Sequence, residues 1–204
     1  MRRITALTAA AALATLVAGC GGDPAPPDAA ARSATSAAGD AVEGEGEGDA
    51  KRNADDVMFL QMMVTHHGQG SRMAALAADR GRREQLTLLA GAIAATQKDE
   101  AATMRTWLKG WDERTSASGD HSAHAAHGGL PATGPDQIEA LEKSKGVVFE
   151  TSFLNLMIAH QHSAVEMADQ ELESGVNPQA RALAERIVRS RTAEIEMMLG
   201  LLTS

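Results

Sequence analysis

Cysteine occurs once in the 204 residues, at Cys20, and tyrosine not at all; two tryptophans and three phenylalanines make up the aromatic total. Cys20 stands near the N-terminus, and the rest of the chain has no thiol. Disulfides and thiolate metal sites are both excluded there, which is what an oxidising compartment tolerates best. Basic residues are scarce too. Without Arg2 and Arg3, 17 of them face 27 acidic residues, a formal charge of −10. Nucleic acid is therefore not an expected partner, because phosphate binding needs a basic face, whereas cations suit this balance. Long hydrophobic runs are also missing. The longest, ITALTAAAALATLV, is too short to span a bilayer, which takes roughly 20 apolar residues.

That run sits between Arg2-Arg3 and Val17-Ala18-Gly19-Cys20, the layout of a signal peptide. Small residues ending in the only cysteine resemble the bacterial lipoprotein box, so residues 1–19 read as a lipoprotein-type leader and Cys20 as the lipidated mature N-terminus. The expected location is extracytoplasmic, anchored by lipid to the cell membrane, at the periplasm or the cell surface. Residues 20–52 are rich in Pro, Gly, Ala and acid, with almost nothing to bury, and read as a flexible tether. The acidic run Glu43 to Asp49 belongs to that spacer.

From Asn53 to Leu202 the periodicity is helical, with no convincing period-two alternation. Asn53 is a candidate N-cap with Asp55 and Asp56 in the first turn, and Gly81 fits the C-terminal cap. A second helix starts near Arg83 and runs through Trp107 and Trp111. After a His-rich loop at about 113–134, Pro135 starts a short helix to about Lys143. A long helix covers Val147 to Ser174 and ends at Gly175, and Asn177-Pro178 opens the last helix. Shifting the sequence by 94 places Phe59-Leu60 on Phe153-Leu154, Met63 on Met157, His66 on His160, Met73-Ala74 on Met167-Ala168, Ile93 on Ile187, Glu100 on Glu194 and Met104 on Met198. The expected architecture is all-α, a four-helix bundle built from two copies of one αα hairpin.

The repeated residues are also those with ligand chemistry. At about 100° per residue, Met63, His66, His67 and Met73 share an arc of about 120°, the width of a core stripe. Met157, His160 and Met167 repeat three of those angles, while His162 lies about 140° from Met157 and faces elsewhere. Met63 and His66 are about 4.5 Å apart along the axis, within reach of one ion; Met63 and Met73, about 15 Å apart, are not. With the first turn centred near residues 81 and 82, Glu100 comes level with Met63 and Gln97 with His66. The second copy similarly brings Glu194 near Ile158, and Met104 or Met198 lies one turn further on. Thioether, imidazole and carboxylate together suit copper as Cu(I) and Cu(II), with zinc or silver as alternatives. In the loop, His121, His124 and His127 at spacing three form a second candidate metal tract. Against this stands the reading in which methionine fills core gaps and the histidines are hydrogen-bonded core residues.

The segments FLQMMVTHH (Phe59 to His67) with Met73-Ala74, and FLNLMIAH (Phe153 to His160) with Met167-Ala168, resemble the paired motifs of the domain-of-unknown-function family 305. The segment with Gln97, Glu100, Met104 and Trp107-Leu108 resembles its second-helix motif. The resemblance covers about residues 53–202. It implies a ferritin-like bundle, usually exported, with some members similar to periplasmic copper-binding proteins of copper resistance. In the second copy Gln161 stands where the histidine pair would continue, so the first copy is expected to bind better. The expected function is copper buffering or delivery outside the cytoplasm without turnover, with a homodimer or a copper-accepting protein as partner. The alternative is a metal-free envelope interaction module. A di-iron oxidase needs inward Glu-x-x-His pairs, and the chain has none.

Overall fold

The computed structural model describes residues 51–117 and 133–204. The expected leader, Cys20, all but the last residues of the expected tether, and His121, His124 and His127 lie outside the described residues. The described chain is all-α, with five helices: α1 (Ala54–Arg80), α2 (Glu84–Gly110), α3 (Pro135–Lys143), α4 (Gly146–Ser174) and α5 (Pro178–Leu202). No helix among the described residues is long and apolar enough to cross a membrane.

Capping explains where the helices start. Asn53 Oδ1 accepts from Asp56 N at 3.0 Å and Asp56 Oδ2 from Asn53 N at 2.6 Å, a reciprocal box that opens α1. Asn177 Oδ1 accepts from Gln179 N and Ala180 N, both at 3.0 Å, ahead of Pro178 in α5. Caps of this kind stabilise a helix by about 1 kcal/mol. Gly81 and Gly175 do end α1 and α4, but in an extended conformation (φ −62 and −70) rather than the left-handed one a glycine C-cap usually takes. Close approach to backbone calls for glycine at Gly81, whereas at Gly175 the Glu171 side chain would have to move. A Cβ on Gly81 would lie 2.7 Å from the Ala77 carbonyl oxygen, and one on Gly175 would lie 2.2 Å from Glu171 Oε1.

α1 pairs with α2 and α4 with α5 as antiparallel hairpins, and the hairpins meet chiefly through α1 against α4. Two carboxylates tie the hairpins together and obey the repeat of 94. Asp56 Oδ1 accepts from Val176 N at 3.0 Å and Asn177 N at 2.8 Å, just before α5. Its counterpart Glu150 Oε1 accepts from Arg82 N at 2.5 Å and Arg83 N at 3.3 Å, just before α2, and Arg83 Nε adds a 3.0 Å ion pair. Each hairpin thus caps the second helix of the other. Arg83 supplies no side-chain cap of its own, so Glu150 fills that role.

The buried apolar residues fall into two clusters. One gathers Phe59, Leu60, Met63, Met104, Met167 and Ile187; the other gathers Met73, Ile93, Phe153, Leu154, Met157 and Met198. Fully burying a side chain of this size stabilises by roughly 1.5–3 kcal/mol. The clusters exchange under the shift of 94, since Met63 and Met104 of one copy share a cluster with Met167 of the other. A polar layer of His66, His67, Gln97, His160, Gln161 and Arg191, all buried, belongs to neither cluster.

Candidate metal centre

In that layer the His66 and His160 rings stack, 3.6 Å between centroids and 10° from parallel. His66 Nε2–H donates to the His160 carbonyl at 3.0 Å, which leaves His66 Nδ1 without a partner. His160 Nδ1 shares a 3.1 Å hydrogen bond with Thr133 Oγ1, and His160 Nε2 has no partner. His67 Nε2–H donates to Glu100 Oε2 at 2.7 Å, and again Nδ1 is unpartnered. Each imidazole therefore has one nitrogen held by a neighbour and one free of protein partners, and in His66 and His67 the free nitrogen carries the lone pair. Metal-ligating histidines are arranged this way, with a carboxylate, carbonyl or hydroxyl fixing the far nitrogen. Space is kept by Gly70, where a Cβ would lie 2.1 Å from Gln97 Oε1 and 2.6 Å from His160 Nε2.

Burial holds all three rings neutral. It pushes His66 well below its ordinary value, with the neighbouring His160 and His67 adding to the effect. His160 falls to about 3, mainly by burial and then by His67. For His67 burial again dominates, and the Glu100 hydrogen bond opposes it without reversing it. Burial would raise Glu100, but the His67 hydrogen bond and Arg191 outweigh it, so Glu100 stays a carboxylate.

Arg191 is the charge at the centre. Its guanidinium pairs with Glu100 through Nη2 and with Glu194 through Nη1 at 3.0 Å. Gln161, the counterpart of His67, donates to Glu194 as His67 does to Glu100, and accepts from Gln97 at 3.2 Å. Arg191 itself stands where the repeat places Gln97. An arginine on the apolar stripe of Ile187, Ile195 and Met198 was the sequence signal for this centre, and it is absent from the candidate list above. Burial raises Glu194 despite Arg191.

The expected register needs correction. Glu100 meets His67 rather than Met63, Gln97 reaches Gln161 and the Gly70 backbone rather than His66, and Glu194 meets Gln161 and Arg191 rather than Ile158. The cause is the tilt of helical side chains toward the helix N-terminus. In an antiparallel pair both partners lean away from the level of their Cα atoms, so the meeting residues lie further along each chain. Met63, Met104 and Met167 flank the layer in one cluster, and Met73, Met157 and Met198 in the other. His162 is exposed, away from all of these. Among the described residues no three His, Cys, Asp or Glu side chains converge as a ready metal site, so thioethers would have to complete any ligand set. A surface groove of about 370 Å3, edged by Arg72, Lys98 and Arg105, reaches down to His67.

No curated protein matches the chain. Among solved structures, a DUF305 protein from Streptomyces coelicolor, provisionally designated as secreted, is similar at 27% identity and a TM-score of 0.66, covering 73% of this chain and 91% of its own. A DUF305 fragment from Deinococcus radiodurans is similar at 27% identity and a TM-score of 0.65, covering 74% of this chain and 97% of its own. CopM in its Cu(I)-bound form is similar at 29% identity and a TM-score of 0.59, covering 72% of this chain and 95% of CopM. CopM has also been solved with Cu(II) and with silver. The family described as domain of unknown function DUF305 matches residues 56–202, and the chain belongs to that family.

Proposed function

We propose that the protein binds copper outside the cytoplasm, buffering or handing on the ion without catalytic turnover, and that Cys20 carries a lipid anchor. One observation carries the reading: His66, His67 and His160 each present a buried ring nitrogen without a partner while the other nitrogen is held. Similarity to CopM, solved with Cu(I), Cu(II) and silver, supports the choice of metal. Imidazole and Glu100 suit Cu(II), and the methionines of the two flanking clusters suit Cu(I), so both redox states find donors. The designation of the Streptomyces relative as secreted supports the location.

The test is a copper titration of the protein beside a Met63→Ala, His66→Ala, His67→Ala triple variant. Loss of at least one bound ion is expected; unchanged stoichiometry and affinity would sink the site. A second reading rests on Arg191, which already neutralises Glu100 and Glu194 and lets the layer stand as a metal-free polar core. In that case neither Cu(II) nor zinc would shift the melting temperature.

A further inference from the structure

The repeat is broken at one end of the α1–α4 contact, and most of the breaks share one chemistry. A cavity of about 20 Å3 there is lined by Asp55, Met58, Met62, Met167, Gln170 and Glu171, with Phe59 behind them. Subtracting or adding 94 gives their counterparts: Phe149 for Asp55, Ser152 for Met58, Leu156 for Met62, Leu76 for Gln170 and Ala77 for Glu171. Met167 has its match in Met73, and Phe59 in Phe153. Four of these five replacements put a sulfur or oxygen donor where the other copy has an apolar side chain. In the fifth, a thioether replaces a hydroxyl. Asp55 and Gln170 are half-buried, and Glu171 is the one that puts an acid at a buried position of the helix contact.

Glu171 is the sharpest departure. It is 1% exposed, and neither carboxylate oxygen has a hydrogen-bond partner. Neighbouring Asp56 accepts from the backbone N–H groups of Asn53, Val176 and Asn177 and, as an acceptor itself, offers Glu171 no donor. Arg181 turns its Nη1 to the carbonyls of Leu172 and Gly175. A buried carboxyl group that meets no donor keeps its proton, and a bound cation can take that proton's place.

We infer that this cavity is a second metal site, for a soft monovalent cation such as Cu(I) or Ag(I). Met58, Met62 and Met167 are its thioether ligands, and Glu171 balances the charge. Met58 and Met62 lie one turn apart on the same face of α1, and Met167 arrives from α4. Thioethers are soft and uncharged, which selects Cu(I) and Ag(I) over Zn(II) or Ca(II). The volume exceeds the roughly 10–15 Å3 that one water needs, so a single ion fits. Half-buried Met58 and Asp55 leave a way in. Met58, Met62 and Glu171 lie outside the histidine layer, whereas Met167 belongs to the cluster that flanks it, so Met58 and Met62 are the residues that separate the two sites.

The test uses the full chain with its methionine methyl groups labelled with carbon-13, titrated with silver nitrate and followed by NMR. The Met58, Met62 and Met167 methyl resonances are expected to shift together and saturate, and to do so equally in a His67→Gln variant. A Met58→Leu, Met62→Leu variant should bind about one silver ion fewer per chain, and Glu171→Gln should weaken the site by about tenfold or more. Unmoved Met58 and Met62 methyl groups in the parent protein would overturn the assignment, whether or not the leucine variant folds. Full silver stoichiometry in a folded leucine variant would do the same.

Discussion

His160 shows how much of this protein's character is set by single buried side chains. Its ring is fully buried, stacked on His66 and held near a pKa of 3 mainly by burial. The unfolded chain takes up the proton near 6.5, while the folded chain resists to much lower pH. A lowered folded pKa means that the contribution to stability is fully present above 6.5 and is lost as pH falls from there toward 3. Each such histidine steepens the acid loss by about 1.4 kcal/mol per pH unit. Glu171 acts in the opposite sense: burial and nearby Asp56 raise it to about 8, so its contribution is lost as pH rises from 4.5 toward 8. Urea denaturation of the metal-free protein from pH 7 to 5, compared with His160→Gln, cancels the Glu171 effect. The variant is expected to show a shallower acid dependence; equal slopes would mean that His160 is not held neutral.

At the level of elements, α2 and α5 depend for their starts on carboxylates from the opposite hairpin. Asp56→Ala strands the N–H groups of Val176 and Asn177, and Glu150→Ala strands those of Arg82 and Arg83. Leaving buried donors unpaired costs about 1–3 kcal/mol, so each variant is expected to lose an amount in that range in chemical denaturation. Asp56 is the more deeply buried of the two and should cost more. Helix boundaries at these places were legible, because Asn53, Pro135, Asn177 and Pro178 carry local start signals. The carboxylates' role was not, since Asp56 read as a dipole partner of its own helix and Glu150 carried no signal at all.

For the molecule as a whole, Arg191 joins α2 to α5 where the two hairpins meet. Arg191→Gln restores the residue type the repeat places there, yet it leaves Glu100 and Glu194 without their cation. Breaking a buried ion pair by removing one partner costs about 3–5 kcal/mol, and the metal-free variant is expected to lose stability on that scale by thermal or urea melting. If the histidine layer binds copper, the same variant should bind Cu(II) more tightly by titration, because a buried positive charge next to the ligands is gone. Weaker binding in a folded variant would show that Arg191 helps to form the site.

Sequence alone determined the helical class, the two-hairpin repeat, the caps and the stripe that carries Met63, His66, Met157 and His160. All of these follow from local propensity and from a period that survives without a gap. Only the tertiary structure decided that His66 stacks on His160, that Glu100 answers His67, and that Met63 joins Met104 and Met167 across the repeat while Met73 joins Met157 and Met198. Those pairings depend on the tilt of side chains along antiparallel helices and on the way one hairpin is laid across the other. Neither is encoded in the spacing of residues along a single helix.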